Sequence, residues 1–412
     1  MRVLAAFVIL AVVLAAYPLD SAKRTGIRRL AGYQLAQERK VQGPRIPPGG
    51  LWGESRIQLR LMNNRDFDIT ADTPRDAGLQ TKLDSILGGR NLSYGIAVLD
   101  ISDPGHPRYA AVRETEKLLP GSVGKLCVAT GLMGALQRSY PDPIAREKFL
   151  HSTIRTADAF VNVDGKTVPF YEEGWPAVVN RRINIGDRFS LWEWLDHMLS
   201  VSSNAAGSFT RKQAILLRHF GSRFPVAAEE EKAFFDTTPK QDLTRAALET
   251  LEEPLRNSGI DTGSFRLGTM FTRGGTRVIP GTASYGTPRE LLRWLVRMEQ
   301  GKLVDDWSSL ELKRLLYFAR SRYRYASALS LTNAAVFFKS GSFFQCVPEE
   351  GFRCKQYAGN KTNIMNSVAV VESGSKIYLV ALMSNILKIN SANEHQRIAD
   401  LIEKTIQGSP AR

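Results

Sequence analysis

Histidine and cysteine are scarce in this chain. Its 412 residues contain five histidines, all scattered, and three cysteines. No Cys-His cluster has metal-ligand spacing, so neither a zinc site nor a Ser-His-Asp triad is suggested, and no cofactor is expected. No cysteine adjoins the end of the N-terminal apolar run, which leaves no lipid-attachment site there. Apart from that run, Val3 to Tyr17, no apolar stretch is long enough to cross a membrane. Acid is sparse near the front. Between residues 23 and 65 only Glu38 and Glu54 face Lys23, Arg24, Arg28, Arg29, Arg39, Lys40, Arg45, Arg56, Arg60 and Arg65. A phosphate loop is also missing: Leu119 and Leu126 stand where a Walker A motif needs glycine and Ser/Thr around Gly124-Lys125, which excludes an NTPase.

What is present begins with an export signal. Met1-Arg2 followed by Val3 to Tyr17 has the charge and length of a secretory signal, with Ala15 or Ala16 as the last residue removed. The basic residues after it oppose the usual charge bias, so an uncleaved anchor is the alternative for residues 1–22. Residues 23–75 form a basic segment broken by Gly43-Pro44-Arg45-Ile46-Pro47-Pro48-Gly49-Gly50. Up to about residue 65 it reads as an arm with little structure of its own, suited to an anionic membrane surface or acidic wall polymer. The net charge of +14 comes without interleaved aromatics or a known module, so nucleic acid is not an expected partner.

The remaining 76–412, in a chain that is 43% hydrophobic, can bury a large core. Ala77 to Leu87 has helical periodicity. Tyr94 to Ile101 and Arg108 to Arg113 read as strands joined by the turn Ser102-Asp103-Pro104-Gly105. The centre is largely helical to about Phe318, with Thr238-Pro239 and Thr287-Pro288 as N-cap and N1 pairs. Strands return at Val336–Phe344, Ile364–Glu372 and Ile377–Met383, and Ala392 to Ile406 closes the chain as a helix.

Within this frame Ser122 and Lys125 sit at the head of an apolar helix that carries no further charge until Arg138. Residues three apart share a helix face, and a helix apolar all round is buried. A hydroxyl and an amine therefore meet in a dry setting. Desolvation disfavours the charged form of a lysine, so the pair is a base beside a weak nucleophile. The bland alternative is an N-cap serine and a lysine reaching solvent. Ser-x-x-Lys arises by chance about once in a chain this long, so the other motifs matter. Ser202-Ser203-Asn204 lies in a polar turn between two helices. Lys339-Ser340-Gly341-Ser342 follows the β-like run Ala334-Ala335-Val336-Phe337-Phe338. There a lysine and a hydroxyl can bind a carboxylate, the glycine permits close backbone approach, and the Ser342 N–H can donate to an oxyanion. Cys127 reads as a packed thiol. Cys346 and Cys354 flank a turn-rich loop directly after this strand, as a disulfide that fits an exported protein or as two free thiols.

Together and in this order, Ser-x-x-Lys, Ser-x-Asn and Lys-[Thr/Ser]-Gly resemble the motifs of class A β-lactamases and penicillin-binding proteins. The resemblance spans about Asp76 to Gln407. It implies an α+β fold: an antiparallel sheet from both chain ends, with an all-helical subdomain, about residues 121–330, inserted between them. It implies that Ser122 Oγ attacks a carbonyl to form an acyl-enzyme, that Lys125 takes its proton, and that Ser202 relays a proton to the leaving amine. Asn204 orients substrate and lysine, Lys339 and Ser340 hold a carboxylate, and the N–H groups of Ser122 and Ser342 form the oxyanion hole. The expected partner is a small-molecule or peptide substrate, a β-lactam or a cell-wall peptide. The expected location is the periplasm, free or anchored.

One departure stands out. Class A enzymes activate the deacylating water with a glutamate in a Glu-x-x-Leu-Asn stretch. From Pro254 to Arg289 there is no glutamate, and Asp261 is the one acid. Glu252-Glu253-Pro254-Leu255-Arg256-Asn257 imitates the stretch loosely but reads as a helix end. The sequence therefore favours a serine hydrolase of D,D-peptidase type with weak β-lactamase activity. The alternative is a penicillin-binding or sensing module without turnover, or an inactive relative.

Overall fold

The structure is a computed structural model and describes residues 19–162, 165–317 and 322–408. The expected signal or anchor lies almost wholly outside the described residues. The chain enters through α1 (Ala22–Thr25), α2 (Arg28–Gln37) and α3 (Ala77–Leu87), then β1 (Tyr94–Asp100) and β2 (Arg108–Val112). The central part holds α4 (Lys125–Ser139), α5 (Pro143–Ser152), α6 (Leu191–Leu199), α7 (Asn204–Phe220), α8 (Ala228–Thr237), α9 (Lys240–Asn257), α10 (Arg273–Val278), α11 (Pro288–Glu299) and α12 (Asp306–Tyr317). Small two-stranded sheets pair β3 (Ile154–Thr156) with β6 (Arg188–Ser190), β4 (Val168–Phe170) with β5 (Val179–Arg181), and β7 (Phe265–Arg266) with β8 (Tyr285–Gly286). The chain ends in β9 (Ala335–Gln345), β10 (Thr362–Ser373), β11 (Lys376–Asn385) and α13 (Ala392–Gln407).

The five long strands form one antiparallel sheet in the order β2-β1-β11-β10-β9, so both chain ends contribute to it as expected. β1 and β11 carry unbroken apolar runs because both faces are covered, while polar residues interrupt β9 from Lys339 to Ser342 and β10 at Asn366 and Ser367. Ala97, Leu99, Phe337, Val370 and Ala381 point into the core shared with the central helices. Ile96, Val98, Val336, Val371 and Val380 point the other way, onto Leu79 and Leu83 of α3 and Ile398 and Ile402 of α13. Local signals fix the helix starts. The Asp76 side chain accepts from Leu79 N at the head of α3. Thr287 accepts from Glu290 N with Pro288 at the first turn of α11. α9 starts at Lys240 with Pro239 in the cap position and no side-chain cap, so Thr238 does not cap it.

Two further expectations need correction. The inserted part is not all helical, since it carries the three small sheets. Nor is the basic segment an arm with little structure. α2 buries Leu30 and Tyr33, and Ile27 before it is fully buried. Arg29 is 2% exposed and holds Asp196 through two bonds of 2.5 and 2.6 Å. Arg24 reaches Glu54, Glu147 and Glu311, Arg28 pairs with Glu172 and Glu193, and Arg60 pairs with Glu372. Most of the partners that order this segment lie more than a hundred residues away. Local composition counted only the cations. Lys23, Arg39, Lys40 and Arg45 remain exposed.

Candidate active site

Ser122 sits in a short 3₁₀ turn, Gly121–Gly124, that runs directly into α4. Its side chain does not cap the helix. Gly121 has φ +53°, a left-handed conformation that favours glycine, and this lets the turn face the β9 strand. α4 is buried from Lys125 through Leu136. Lys125 is 0% exposed, so the lysine does not reach solvent. Its Nζ donates to Ser122 Oγ at 2.8 Å, to Asn204 Oδ1 at 2.7 Å and to the Ser202 carbonyl at 3.2 Å.

Ser202 and Asn204 come from the α6–α7 connection. α6 starts with a reciprocal capping box between Ser190 and Glu193; α7 starts with the Ser203 hydroxyl accepting from Ala206 N at 3.1 Å. The bend between them places Ser202 at φ +62°, a region that a non-glycine residue occupies at a cost of order 1–3 kcal/mol. The bend turns both the hydroxyl and the carbonyl of Ser202 toward lysines. Lys339 Nζ donates to Ser202 Oγ at 2.8 Å and to the Ser340 carbonyl at 3.0 Å. Burial, then the charges of Lys125, Lys166 and Arg324, hold the Lys339 amine well below the ordinary lysine value of 10.5. The relay hydroxyl expected at Ser202 is thus bonded to Lys339, and the bond of Lys125 to Ser202 is through the carbonyl.

Lys339, Ser340, Gly341 and Ser342 lie on β9, the edge strand of the sheet. Gly341 is required by contact. A Cβ there would lie 2.6 Å from the Pro120 carbonyl oxygen and 2.9 Å from Ser122 N. A Cβ on Gly121 would lie 3.0 Å from Ser342 N. The Ser122 turn and the Ser342 strand are therefore packed backbone to backbone. Asn366, directly across β10 from Gly341, fixes the turn from below by donating to the Leu119 and Pro120 carbonyls at 2.9 and 3.1 Å.

All three motifs face a cleft of about 1160 Å³, lined among others by Ser122, Ser202, Asn204, Ser340 and Ser342. Sequence reasoning missed further groups here. Lys166 donates to the Ser202 carbonyl at 3.0 Å. Arg324, at φ +56°, donates to the Gly341 carbonyl at 2.9 Å and lies over the Tyr357 ring. The Phe271 ring centroid is 4.2 Å from Lys125 Nζ. None belongs to a motif, and no periodicity marks them. Cys346 and Cys354 form a disulfide, with Cα atoms 6.0 Å apart, in the loop that carries Tyr357 to the cleft. Cys127 is a buried free thiol, and burial pushes its pKa up.

No Asp or Glu lines this cleft among the described residues. Glu252 and Glu253 do not end the helix, since α9 continues past them through Pro254 to Asn257. Glu252 pairs with Arg256 and Arg266, and Glu253 pairs with Arg138 and Arg218. Asp261 lines a separate small depression with Glu290 and Arg293. Another open cleft, near Arg65, Arg146 and Trp307, contains none of the motif residues. No group of histidine, cysteine, aspartate and glutamate able to hold a metal exists among the described residues.

No protein-family model matches the chain, and no curated protein matches it. Solved structures do. A mutant of PBP-A, seen as its acyl-enzyme complex with penicillin G, is 10% identical; the match covers 82% of this chain and 98% of that one, with a TM-score of 0.52. PBP-A itself is 11% identical over 82% of this chain and 99% of that one, with a TM-score of 0.51. The TLA-3 extended-spectrum β-lactamase is 14% identical over 80% and 96%, with a TM-score of 0.50. With the antiparallel sheet from both chain ends and the helical part inserted between them, the chain has the fold shared by β-lactamases and PBP-A.

Proposed function

We propose that the protein is a serine acyl-transfer enzyme acting on an amide or β-lactam through an acyl-enzyme at Ser122. The observation that carries this reading is the buried amine of Lys125, 2.8 Å from Ser122 Oγ and held from behind by Asn204 Oδ1. Oγ bonds to the substrate carbonyl carbon while Lys125 takes the hydroxyl proton. The carbonyl oxygen becomes an oxyanion between the N–H groups of Ser122 and Ser342, where the N-terminal end of α4 adds a favourable dipole. The carbon–nitrogen bond then breaks. Ser202 gives its hydroxyl hydrogen to the leaving nitrogen and takes one from Lys339, whose Nζ is bonded to it and is protonated once the substrate carboxylate sits beside it, while Lys125 keeps the Ser122 proton. The proton lost by Ser122 is thereby matched on the leaving amine. Ser340 and Lys339 hold the substrate carboxylate.

The fate of the acyl-enzyme separates two versions of this reading. A D,D-peptidase-like hydrolase releases it. A penicillin-binding or sensing module keeps it. The lack of a carboxylate among the described residues lining the cleft favours slow release, because a missing base costs water attack roughly a hundred- to ten-thousand-fold. Exposure to penicillin G followed by intact mass over time tests both versions. We expect one adduct per chain, formed faster than it decays, and none with Ser122→Ala. Labelling of Ser122→Ala at the wild-type rate would refute the reading. Export to the periplasm, free or anchored, is the location consistent with a cell-wall substrate.

A further inference from the structure

Resting on the acyl-transfer reading above and deepening it, we infer that the acyl donor carries an aromatic side chain, clasped by Phe344 and Tyr357 at one end of the cleft. β9 lays the site out in a line. On that reading Ser340 holds the carboxylate, and the Ser342 N–H meets the reacting carbonyl two residues, or about 7 Å, further along the strand. In a penicillin, as in a peptide with a free C-terminus, the carboxylate is on the nitrogen side of the scissile bond. The acyl side chain therefore lies past the carbonyl, where β9 continues into Phe343 and Phe344. The strand is buried as far as Gly341 and then comes to the surface. Phe343 is 46% exposed and Phe344 38% exposed, and both line the cleft. Tyr357 lines it beside them, its ring centroid 5.9 Å from that of Phe344 and its plane turned by 74°. Arg324, which donates to the Gly341 carbonyl, backs the Tyr357 ring with its Cζ 5.5 Å from the centroid.

Tyr357 stands there against local preference. It is the third residue of a turn in which Ala358 N donates to the Lys355 carbonyl at 3.1 Å, and its φ is +58°. That turn position favours glycine or asparagine, and a bulky side chain rarely adopts it. The loop is tied at its base by the Cys346–Cys354 disulfide and by Asn360, whose side chain accepts from Val347 N at 2.9 Å and donates to the Val347 carbonyl at 3.0 Å. Backbone strain of this kind gathers at ligand clamps. A flat apolar group entering beside Phe344 and Tyr357 covers exposed ring surface on both and meets them in the tilted geometry that aromatic pairs prefer.

Three penicillins with uncharged side chains test the inference: benzyl (penicillin G), pentyl and methyl. Second-order acylation rates of the full chain are read by intact mass and divided by each compound's own alkaline hydrolysis rate. They should fall in that order. Covering about half of a phenyl ring makes benzyl roughly tenfold faster than methyl, and ring–ring contact makes it roughly threefold faster than pentyl. Both ratios should fall toward one in Phe344→Thr and in Tyr357→Asn, and persist in Tyr357→Phe. Tyr357→Asn should also melt no lower than wild type, because asparagine suits the turn. A ratio taken within each variant cancels any effect of the substitution on folding. Equal rates with benzyl and methyl, or with benzyl and pentyl, overturn the inference, while labelling by penicillin G still supports acyl transfer. A benzyl preference that survives both Phe344→Thr and Tyr357→Asn overturns the assignment to these two rings. No labelling by any of the three refutes the acyl-transfer reading and the inference with it.

Discussion

One methyl group added at Gly341 tests whether the Ser122 turn and the β9 strand form a single machine. In Gly341→Ala the new Cβ would meet the Pro120 carbonyl oxygen at 2.6 Å and the Ser122 and Val123 nitrogens at 2.9 Å, where ordinary contact begins at 3.4 Å. All three are backbone atoms, so no side chain can swing aside. The turn must open by about 0.8 Å relative to the strand, the difference between 2.6 and 3.4 Å. It cannot do so freely, because Asn366 holds the Leu119 and Pro120 carbonyls from β10. Overpacking of this kind costs about 1–3 kcal/mol of stability. The same displacement moves Ser122 Oγ and its N–H away from Ser342, and a misplacement near 1 Å costs on the order of a hundredfold in rate. We therefore expect penicillin G acylation to fall roughly 30- to 100-fold while the protein stays folded with a modestly lower melting temperature. The acylation rate by intact mass and the melting curve are measured on the same sample. A folded variant that acylates within about threefold of wild type would show that the backbone contact does not set the reacting geometry.

Four other outcomes follow from the structure. Lys125→Arg should lose at least a hundredfold in acylation, since arginine does not deprotonate and a lost general base costs about 10²–10⁴; near-normal acylation would mean that another group accepts the proton. Binding of penicillin G to Ser122→Ala should take up protons, because a carboxylate beside Lys339 raises an amine now held well below 10.5; calorimetry in buffers of different ionisation enthalpy reads this, and proton release would contradict it. By the same sign, the unfolded chain binds more protons at Lys339 than the folded one, so this group makes stability rise with pH from its lowered value toward 10.5. Arg29→Met should cost about 3–5 kcal/mol in denaturant unfolding by stranding the buried Asp196 carboxylate, and adding Asp196→Leu should recover much of that; an undiminished stability in the single variant would mean the carboxylate finds another partner.

The parts of this protein that were legible in its sequence are the parts whose physics is local. Ser122 and Lys125 are three residues apart, one in the 3₁₀ turn and the other at the start of α4, and the apolar run after them announces burial. β1 and β11, with the apolar stretches of β9 and β10, stand out because the sheet is covered on both sides. The groups that escaped notice are held by distant partners. Arg29 is one of many arginines until Asp196 is seen beside it. Lys166 precedes the three-residue strand β4, too short to give a periodic signal, and only folding brings it to Ser202. Ile154–Thr156 is partly exposed and equally short, so its pairing with Arg188–Ser190 has no trace in the hydrophobic pattern.

The same contrast explains how such a site can be kept. Lys125 and Lys339 are buried amines with a third lysine beside them, and Ser202 occupies a disfavoured backbone region. Each of these opposes folding locally, so the surrounding elements must fix them. The sheet does so on one side, where Lys339 is held by the β9–β10 ladder and Asn366 anchors the Ser122 turn. On the other side the burden falls on α6, which leads into Ser202. Its buried Asp196 is clamped by Arg29, and its His197 is packed against Phe189, with burial lowering the imidazole pKa to about 4 and keeping it neutral. The N-terminal segment therefore stabilises the helix whose end holds a strained serine between lysines. A segment that reads as a solvated basic arm in the sequence is, in the fold, a support for the bend that carries Ser202.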